Sequence, residues 1–319
     1  MIRIGVIGAG NNGSKHARYY HDCPRKEVVA VAEPDEERAA ALAGEVEAEA
    51  VAEFEEMLDA VDAVVISSPN FLHRDHAVAC ARAGKHVYCE KPMGLNAEEA
   101  GDIANAVAEA GVKSAVGFSV RFHGDVQTMQ HHLEEGTVGN LVSIWSRRLT
   151  YYDFARAPGW RTDYSLSGGL LYEINVHELE WMMALGGPVE SVYARKYTRD
   201  GDNPRANDHI WVTLNFANGA VGTHEGSWMA SNPEFRRGLT GTDGGFITDR
   251  WGNVLHFAEK GGKEVEMETA PRFDLGAHWL DCIEGKAEPI CDVAWGLKVM
   301  TVAEAVIQSG LSGKVVAVE

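Results

Sequence analysis

The sequence lacks paired cysteines, an excess of positive charge and any long apolar run. Its cysteines are odd in number and follow no CxxC or other paired spacing, which argues against a disulfide framework and a zinc ribbon and predicts reduced thiols. The net charge of −18 repels polyanions, so nucleic acid is not an expected partner. The five cysteines are Cys23, Cys80, Cys89, Cys282 and Cys291.

No apolar stretch reaches the ~20 residues that a membrane-spanning helix needs, so no membrane partner is expected. The chain enters a β-branched run at Ile2, which leaves no room for the charged region, apolar core and cleavage site of a secretory leader. Together with the scattered cysteines, these absences predict a cytoplasmic protein. The sequence does contain 34 glycines and 45% hydrophobic residues, and 319 residues suffice for two ordinary domains.

The first part of the chain alternates short β-branched runs with alanine-rich segments. Strands that alternate with helices of this length predict an α/β fold, in which a parallel sheet is doubly wound by right-handed crossovers. We assign residues 1–119 to this domain. The predicted strands are 2–7, 28–32, 63–66, 86–89 and 114–117, and the predicted helices are 11–21, 36–43, 74–83 and 97–110.

From about residue 120 the pattern changes to amphipathic strands. From Ile210 to Phe216, apolar side chains occupy every second position, which is the period of a half-buried strand. Asn218-Gly219 then supplies the positive φ angles of a hairpin turn. We assign residues 120–319 to an α+β domain with a large, mostly antiparallel sheet. The predicted helices are 123–135, 273–285 and 293–310, and the predicted strands are 140–149, 189–198, 209–216, 220–229, 236–241, 254–258 and 264–268.

A glycine-rich turn, Gly8-Ala9-Gly10-Asn11-Asn12-Gly13, follows the first strand and opens the first helix. Such glycines permit a tight turn and a close approach of the backbone to a pyrophosphate, while the helix N-terminus offers N–H groups. Glu33 lies 20 residues beyond Gly13, where a carboxylate hydrogen-bonds ribose hydroxyls. The first domain is therefore predicted to be a dinucleotide-binding Rossmann domain. NAD is favoured over NADP because this carboxylate would repel a 2′-phosphate, although Arg38 could swing in to accept one.

Two further segments follow strand ends, which is where open α/β folds hold their ligands. Ser67-Ser68-Pro69-Asn70, with His73 after it, follows the strand at 63–66 and is compatible with a plain turn or with a border of the cofactor site. Glu90-Lys91-Pro92 follows the strand at 86–89. This second segment predicts a lysine at the same edge of the sheet.

These segments resemble the Gfo/Idh/MocA family, which comprises glucose–fructose oxidoreductase, inositol dehydrogenase and rhizopine-catabolism proteins. Within the first domain the resemblance extends from Gly84–Val87 into Glu90–Pro92 and on to Gly117–Phe122. The second domain continues it with Trp160–Asp163 and Gly168–His177. The resemblance covers essentially the full length, and its most specific parts are Glu-Lys-Pro and the Gly-Gly-to-His stretch.

The resemblance implies an oxidoreductase that transfers a hydride between NAD and a secondary alcohol of a sugar or cyclic polyol. The implied catalytic pair is Lys91 and His177, with an acidic residue four positions before the histidine, here Glu173. The spacing is consistent with these roles, because residues four apart share a helix face and a carboxylate orients an imidazole for proton transfer. The reactive site is then expected where the two domains meet.

The motifs and the resemblance together assign two sets of binding residues. The residues expected at the cofactor are Gly8, Gly10, Asn11, Asn12, Gly13, Glu33, Ser67, Ser68, Pro69, Asn70, His73, Glu90, Lys91 and Arg161. The residues expected at the substrate are Lys91, Arg121, His123, Trp160, Asp163, Glu173 and His177.

Two positions depart from the usual pattern of the family. Glu173 stands where the family usually has aspartate, and Asn175 stands where a small residue is common. A glutamate reaches one methylene further, so its carboxylate could contact substrate as well as orient His177. The departure hints at a subgroup with a distinct substrate.

Other candidate residues give weaker signals. Tyr151, Tyr152 and Trp228 could stack on a sugar ring, although aromatic residues in a sheet domain are more often core. His131-His132 lacks the i, i+4 spacing and the third ligand of a metal site, so no metal is predicted. The family usually dimerises or tetramerises through the open face of the second domain's sheet, which implies a homodimer or homotetramer.

Two alternative functions stay open. Tightly held NAD could be recycled, so that a transient oxidation enables epimerisation, elimination or reduction of a second sugar. A dinucleotide-binding sensor without catalysis could use the same fold, but the joint presence of Lys91 and His177 speaks against it.

Overall fold

The computed structural model describes residues 1–154, 159–199, 201 and 203–318. They fall into two compact units. The first comprises Met1–Gly117 and Gly276–Leu297, and the second comprises Phe118–Leu275 and Lys298–Glu319. The predicted division assigned residues 276–297 to the second domain, whereas this segment packs within the first unit.

The first unit contains a six-stranded sheet whose strands alternate with helices along the chain. The strands are β1 (Ile2–Ile7), β2 (Lys26–Ala32), β3 (Glu49–Val51), β4 (Ala63–Ile66), β5 (His86–Cys89) and β6 (Ser114–Val116), and the helices are α1 (Asn11–His21), α2 (Glu36–Glu45), α3 (His73–Arg82) and α4 (Ala97–Ala110). All neighbouring strands are parallel, in the order β3-β2-β1-β4-β5-β6. This confirms the predicted doubly wound α/β fold. The strand order reverses between β1 and β4, and the segments after these strands therefore meet where such folds bind ligands.

The β-branched composition of the central strands accounts for their position. Every residue of β4 is fully buried, as are Ile4 and Val6 of β1, which is typical of parallel sheets covered on both faces. The edge strand β3 was not predicted. Its three residues are mostly exposed and therefore lack the apolar signal of the central strands.

The second unit contains a nine-stranded sheet. Its strands are β7 (Leu141–Tyr151), β8 (Val189–Tyr197), β9 (His209–Phe216), β10 (Val221–Ser227), β11 (Met229–Gly241), β12 (Gly244–Thr248), β13 (Leu255–Glu259), β14 (Val265–Met267) and β15 (Val316–Ala317). Their order is β14-β13-β12-β11-β7-β10-β9-β8-β15. Among these described strands only β10 and β7 pair in parallel, so the prediction of a mostly antiparallel sheet is confirmed.

Helical segments precede β7 and β8 in the second unit. They are α5 (Gly124–Glu134), α6 (Tyr164–Ser167), a π-helical turn (Leu171–Asn175) and α7 (Val176–Gly186). Nearly every residue of α7 is buried, including its two glutamates. A helix that is buried all round shows no amphipathic period, which is why the sequence did not predict the bounds of α7.

Two helices close the chain, α8 (Leu275–Ile283) and α9 (Val293–Ser312). Trp279 of α8 is 1% exposed and meets the rings of Tyr20 and Tyr88 edge-on, with centroids 6.1 and 5.6 Å away. The Val116 N–H donates to the Cys291 carbonyl oxygen at 2.8 Å. These contacts make residues 276–297 part of the first unit's core. No helix within the described ranges has the length and apolar character needed to cross a membrane.

Candidate active site

The glycine-rich turn after β1 is closely packed at two of its glycines. Gly8 has a φ of +97°, which side chains rarely adopt, and a Cβ there would lie 2.8 Å from the Ser67 carbonyl oxygen. A Cβ at Gly13 would lie 1.8 Å from the Gly8 carbonyl oxygen, whereas a Cβ at Gly10 would meet no atom within 4 Å. The turn therefore needs Gly8 and Gly13 for its own packing, while Gly10 borders open space.

This open space lies at the N-terminus of α1. Gly10 is the N-cap residue, no side chain caps the helix, and the first turn holds no acidic residue. Asn11 and Asn12, which follow, are exposed. Backbone N–H groups and the positive end of the helix dipole favour an anionic group here, so the turn fits the pyrophosphate of a dinucleotide.

Glu33 connects the end of β2 to the glycine-rich turn. One carboxylate oxygen accepts the Ala9 N–H at 2.9 Å, and the other accepts the Asp35 N–H at 3.1 Å and the Arg38 guanidinium at 2.8 Å. Burial alone would raise the pKa of Glu33, but these hydrogen bonds outweigh it and hold the pKa below its ordinary value. Glu33 is therefore ionised at neutral pH, and Arg38, the residue that kept NADP open, is paired with it.

His73 connects two of the segments predicted at the cofactor. Its buried ring places one nitrogen 2.8 Å from the Ser68 carbonyl oxygen and the other 2.7 Å from the Pro92 carbonyl oxygen. Burial lowers the pKa of His73, and a neutral ring donates to only one of these two oxygens at a time. The Ser68 hydroxyl contacts the Nδ1 of His76 at 2.9 Å. His73 thus belongs to the packing that fixes both segments.

Lys91 follows β5 and is partly exposed, and its peptide bond to Pro92 is cis. The preceding Glu90 contacts the Nε2 of His16 on α1 at 2.8 Å. Burial alone would raise the pKa of Glu90, but this hydrogen bond and the neighbouring cations hold it below its ordinary value. A Cβ at Gly117 would lie 2.9 Å from the Glu90 carboxylate, so the glycine makes room for it. Glu90 anchors the segment that carries Lys91 at the carboxyl edge of the sheet.

In the second unit, Glu173 lies in the π-helical turn rather than in an α-helix. Such turns close with i→i+5 hydrogen bonds, so the four-residue spacing to His177 does not by itself place both side chains on one face. The Nε of Arg161 donates to Glu173 at 3.0 Å, and the same guanidinium lies 4.5 Å from the Trp160 ring centroid. These contacts connect the Trp160-Arg161 motif to Glu173.

His177, the second residue of α7, is 8% exposed. Its ring meets Phe118 edge-on, with centroids 6.2 Å apart. The side chain lines a cavity of about 300 Å³ within the second unit, together with Ser119 and His123. An imidazole on a cavity of ligand size is a candidate general base.

A buried charge network beside His177 was missed in the sequence. Glu178 accepts a hydrogen bond from Arg148 at 3.1 Å and another from the Trp181 indole at 2.6 Å. Burial alone would raise the pKa of Glu178, but the charges of Arg237 and Arg148 hold it at about 2. The only signals in the sequence are two Arg-Arg pairs, on β7 and β11, which the pairing of these strands brings together.

The other residues predicted at the substrate have different surroundings. His123 lines the same cavity as His177. Arg121 forms a 3.3 Å ion pair with the fully buried Glu180. Asp163 is exposed and caps α6, where it accepts the N–H and the hydroxyl of Ser165 at 2.8 and 2.6 Å. The structure thus brings His123 and His177 together and shows Asp163 in a capping role.

The aromatic candidates divide between core and surface. Trp228 is 3% exposed and packs against Tyr152 and Phe154, with both centroid distances 5.6 Å, so Trp228 belongs to the core and Tyr152 is a half-buried neighbour. Tyr151 is 65% exposed. His131 contacts Glu135 at 3.3 Å. Within the part of the chain that the structure describes, no group of three or more histidine, cysteine or acidic side chains is placed to hold a metal ion.

Two family models match the chain. The model described as "Oxidoreductase family, NAD-binding Rossmann fold" matches residues 2–118, and the "GFO/IDH/MocA C-terminal domain" matches residues 126–247. The chain therefore belongs to the Gfo/Idh/MocA family of oxidoreductases with an NAD-binding Rossmann fold. This confirms the resemblance drawn from its motifs.

Relatives of known activity show the range of this family. Myo-inositol 2-dehydrogenase of Thermotoga maritima is 30% identical over 72% of this chain and 69% of its own length. The 2,7-anhydro-N-acetylneuraminate hydratase of Escherichia coli (strain K12) is 29% identical over 78% of this chain and 68% of its own. Levoglucosan dehydrogenase in complex with NADH has a TM-score of 0.89 over 100% of this chain and 99% of that one, at 24% identity. The last likeness shows the fold.

Proposed function

We propose that this chain is an NAD-dependent dehydrogenase that oxidises a secondary alcohol of a sugar or cyclic polyol. The observation that carries the proposal is the buried imidazole of His177 on a cavity of about 300 Å³. The first unit contains the glycine-rich turn that is proposed to bind the dinucleotide. The relative that acts on myo-inositol supports the substrate class.

The residues of the first unit fit NAD. The open space at Gly10 and the uncapped start of α1 suit the pyrophosphate, and the ionised Glu33 suits the hydroxyls of the adenosine ribose. We assign NAD rather than NADP because the Glu33 carboxylate would repel a 2′-phosphate and already engages Arg38. The segment from Ser67 to Asn70 and Lys91 complete the proposed cofactor site, with His73 and Glu90 as positioning residues.

In the proposed mechanism, His177 takes the proton of the substrate hydroxyl. Its Nδ1 is buried, so Nε2 is the atom assigned to this transfer. Lys91 is the second proposed acid–base group, and Glu173, held by Arg161, orients the imidazole or the substrate. NAD, when bound, supplies the acceptor for the hydride that leaves the alcohol carbon.

The test is a pair of substitutions assayed with a screen of sugars, inositols and anhydrosugars. Lys91→Ala and His177→Ala should each lower kcat by at least ~100-fold, the usual contribution of a general acid–base group, while NADH binding persists. The controls Lys263→Ala and His131→Ala remove exposed side chains and should match the wild type. Near-normal turnover in a catalytic variant would contradict the mechanism, and no hydride transfer to NAD across the screen would favour a sensor.

A second candidate is favoured by the related hydratase. Hydration involves no net oxidation, so an enzyme of this family can act on a sugar without net consumption of NAD. In this candidate NAD stays bound and is reduced and reoxidised within one turnover. Product formation without NADH release would support it, whereas one NADH released per product would support the dehydrogenase.

We also propose a homodimer or homotetramer that forms through the open face of the second unit's sheet. Tyr193 and Trp211, on neighbouring strands β8 and β9, are 37% and 47% exposed on a hollow of about 370 Å³. Apolar side chains of this size on a sheet face suit burial against a second copy. Sedimentation showing only monomer would remove this proposal. The cytoplasmic location is likewise a proposal, which cell fractionation tests.

A further inference from the structure

The cavity beside His177 is bordered by arginines from two adjacent strands. Arg148 of β7 and Arg237 of β11 share one face of the sheet, because Arg148 pairs in register with Phe235, two residues before Arg237. Each reaches a carboxylate on a helix that covers this face. Arg148 contacts Glu178 of α7 at 3.1 Å, and Arg237 contacts Asp125 of α5 at 3.3 Å.

Both arginines keep a buried N–H group that binds no acceptor in the described structure. The two atoms are the Nε of Arg148 and the Nη1 of Arg237. Glu178 accepts from Arg148 Nη1 and from Trp181, and neither hydrogen bond involves the two unpaired atoms. Both arginines also line the cavity, with side chains 24% and 11% exposed, so a ligand that enters the cavity meets two guanidinium groups.

The electrostatic potential in the cavity points the same way. Burial, followed by the charges of Arg237 and Arg272, lowers the pKa of His123 to about 4, against the opposing effect of one carboxylate. Arg236, which also lines the cavity, donates to the Thr248 carbonyl oxygen and has no carboxylate partner among the described residues. A chain with a net charge of −18 therefore presents a locally positive cavity.

We propose that the substrate is an acidic monosaccharide whose carboxylate or phosphate group binds between Arg148 and Arg237. The proposal rests on the dehydrogenase function proposed above. The alcohol carbon loses a hydride to NAD⁺, its hydroxyl loses a proton to His177 and a ketone forms, while the acidic group is unchanged. Guanidinium groups bind planar carboxylates and phosphates through forked N–H donors, and two of these groups border the cavity.

The size of the cavity is compatible with one sugar ring. A volume of about 300 Å³ lies at the lower end of the range for ligand pockets, ~300–1,000 Å³. This suits one sugar ring with a small acidic substituent better than a nucleotide-linked sugar.

The test compares neutral sugars with their acidic counterparts: D-glucose with D-glucuronate and D-glucose 6-phosphate, and D-galactose with D-galacturonate and D-galactose 6-phosphate. Binding is measured by calorimetry on the NADH-bound protein, which cannot oxidise the sugar. In at least one set the acidic member should bind tenfold or more tightly than the neutral sugar. Preference for the uronate or for the phosphate identifies the acidic group.

Arg148→Met and Arg237→Met should each weaken binding of the favoured acid by about 10- to 100-fold relative to the neutral sugar, the range for a lost charge-assisted hydrogen bond. Arg250→Met removes an exposed arginine of the same unit that has no carboxylate partner among the described residues, and it should change the binding of neither sugar. Arg237→Lys keeps the charge but loses the fork and should fall between wild type and Arg237→Met. Arg237→Lys also tests the proposal if Arg237→Met does not fold.

Equal binding of acidic and neutral members in every set would overturn the proposal. So would arginine variants that weaken both members equally. A different result, the absence of NADH formation with every substrate, would contradict the dehydrogenase function. The calorimetric comparison needs no turnover, so the two failures are distinguishable.

Discussion

Separate alanine substitutions at Gly10 and Gly13 should separate ligand approach from internal packing in the glycine-rich turn. Gly10 has a φ of −71°, which alanine adopts without strain, and a Cβ there meets no atom within 4 Å. Gly10→Ala should therefore change the free energy of unfolding by less than about 0.5 kcal/mol. Its methyl group would occupy the space assigned to the pyrophosphate, so the Kd for NADH should rise at least tenfold, or about 1.4 kcal/mol.

Gly13→Ala should act on the fold as well. Its Cβ would lie 1.8 Å from a backbone oxygen of Gly8, and real Cβ atoms essentially never approach within 3.0 Å, so the turn and α1 must separate by about 1.2 Å. A backbone neighbour cannot rotate away as a side-chain end can. Overpacking of this kind costs about 1–3 kcal/mol. A displacement of ~1 Å in a binding site also weakens function by ~100-fold.

Urea denaturation measures the effect on stability, and NADH titration independently measures the effect on cofactor binding. Gly101→Ala is the matched control, because it lies within α4 and its Cβ would meet no atom within 4 Å. It should leave NADH binding unchanged and stabilise the protein by about 0.5–1 kcal/mol. Wild-type NADH affinity in a stable Gly10→Ala variant would refute the assignment of the open space to the pyrophosphate.

Three further predictions concern charge and packing. Glu33→Gln removes the charge that repels a 2′-phosphate, so the ratio of kcat/KM for NADP⁺ to that for NAD⁺ should rise at least ~10-fold, and an unchanged ratio would contradict the assigned role. His224 is fully buried, and burial lowers its pKa from 6.5 to about 4. Its contribution to the free energy of unfolding is complete above pH 6.5 and falls by about 3 kcal/mol as the pH drops to 4. His224→Gln should therefore flatten the pH dependence of urea unfolding. Trp279→Ala should cost about 3–5 kcal/mol, whereas Trp251→Ala, at a side chain that is 50% exposed, should stay within about 0.5 kcal/mol of wild type, as thermal unfolding will show.

The parts of the fold with a local signal were predictable from the sequence. The strands at 63–66 and 86–89 have the predicted bounds, because buried parallel strands are continuous apolar runs between turns. The placement of residues 276–297 was not predictable. It depends on Trp279 meeting Tyr20 and Tyr88, residues far away in the chain, and no local pattern encodes such contacts.

The site shows the same division. The glycine-rich turn and Glu33 were predictable because their spacing reflects one strand–helix unit, and the structure joins them through the Ala9 N–H. The presence of Arg148 and Arg237 on one cavity was not predictable, because only the register of β7 against β11 brings them there. An arginine in a strand otherwise looks like a solvated side chain.

Glu173 and Asn175, the two positions expected from the sequence to depart from the family pattern, lie in one local structure. Both residues belong to the π-helical turn, and Asn175 is fully buried where a Cβ on Gly226 of β10 would lie 2.2 Å from its side-chain oxygen. The asparagine therefore fits only because the facing strand has glycine. Two residues earlier, the longer Glu173 carboxylate reaches Arg161. Since a π turn changes which residues stand above one another, the glutamate and the asparagine are matched to this backbone.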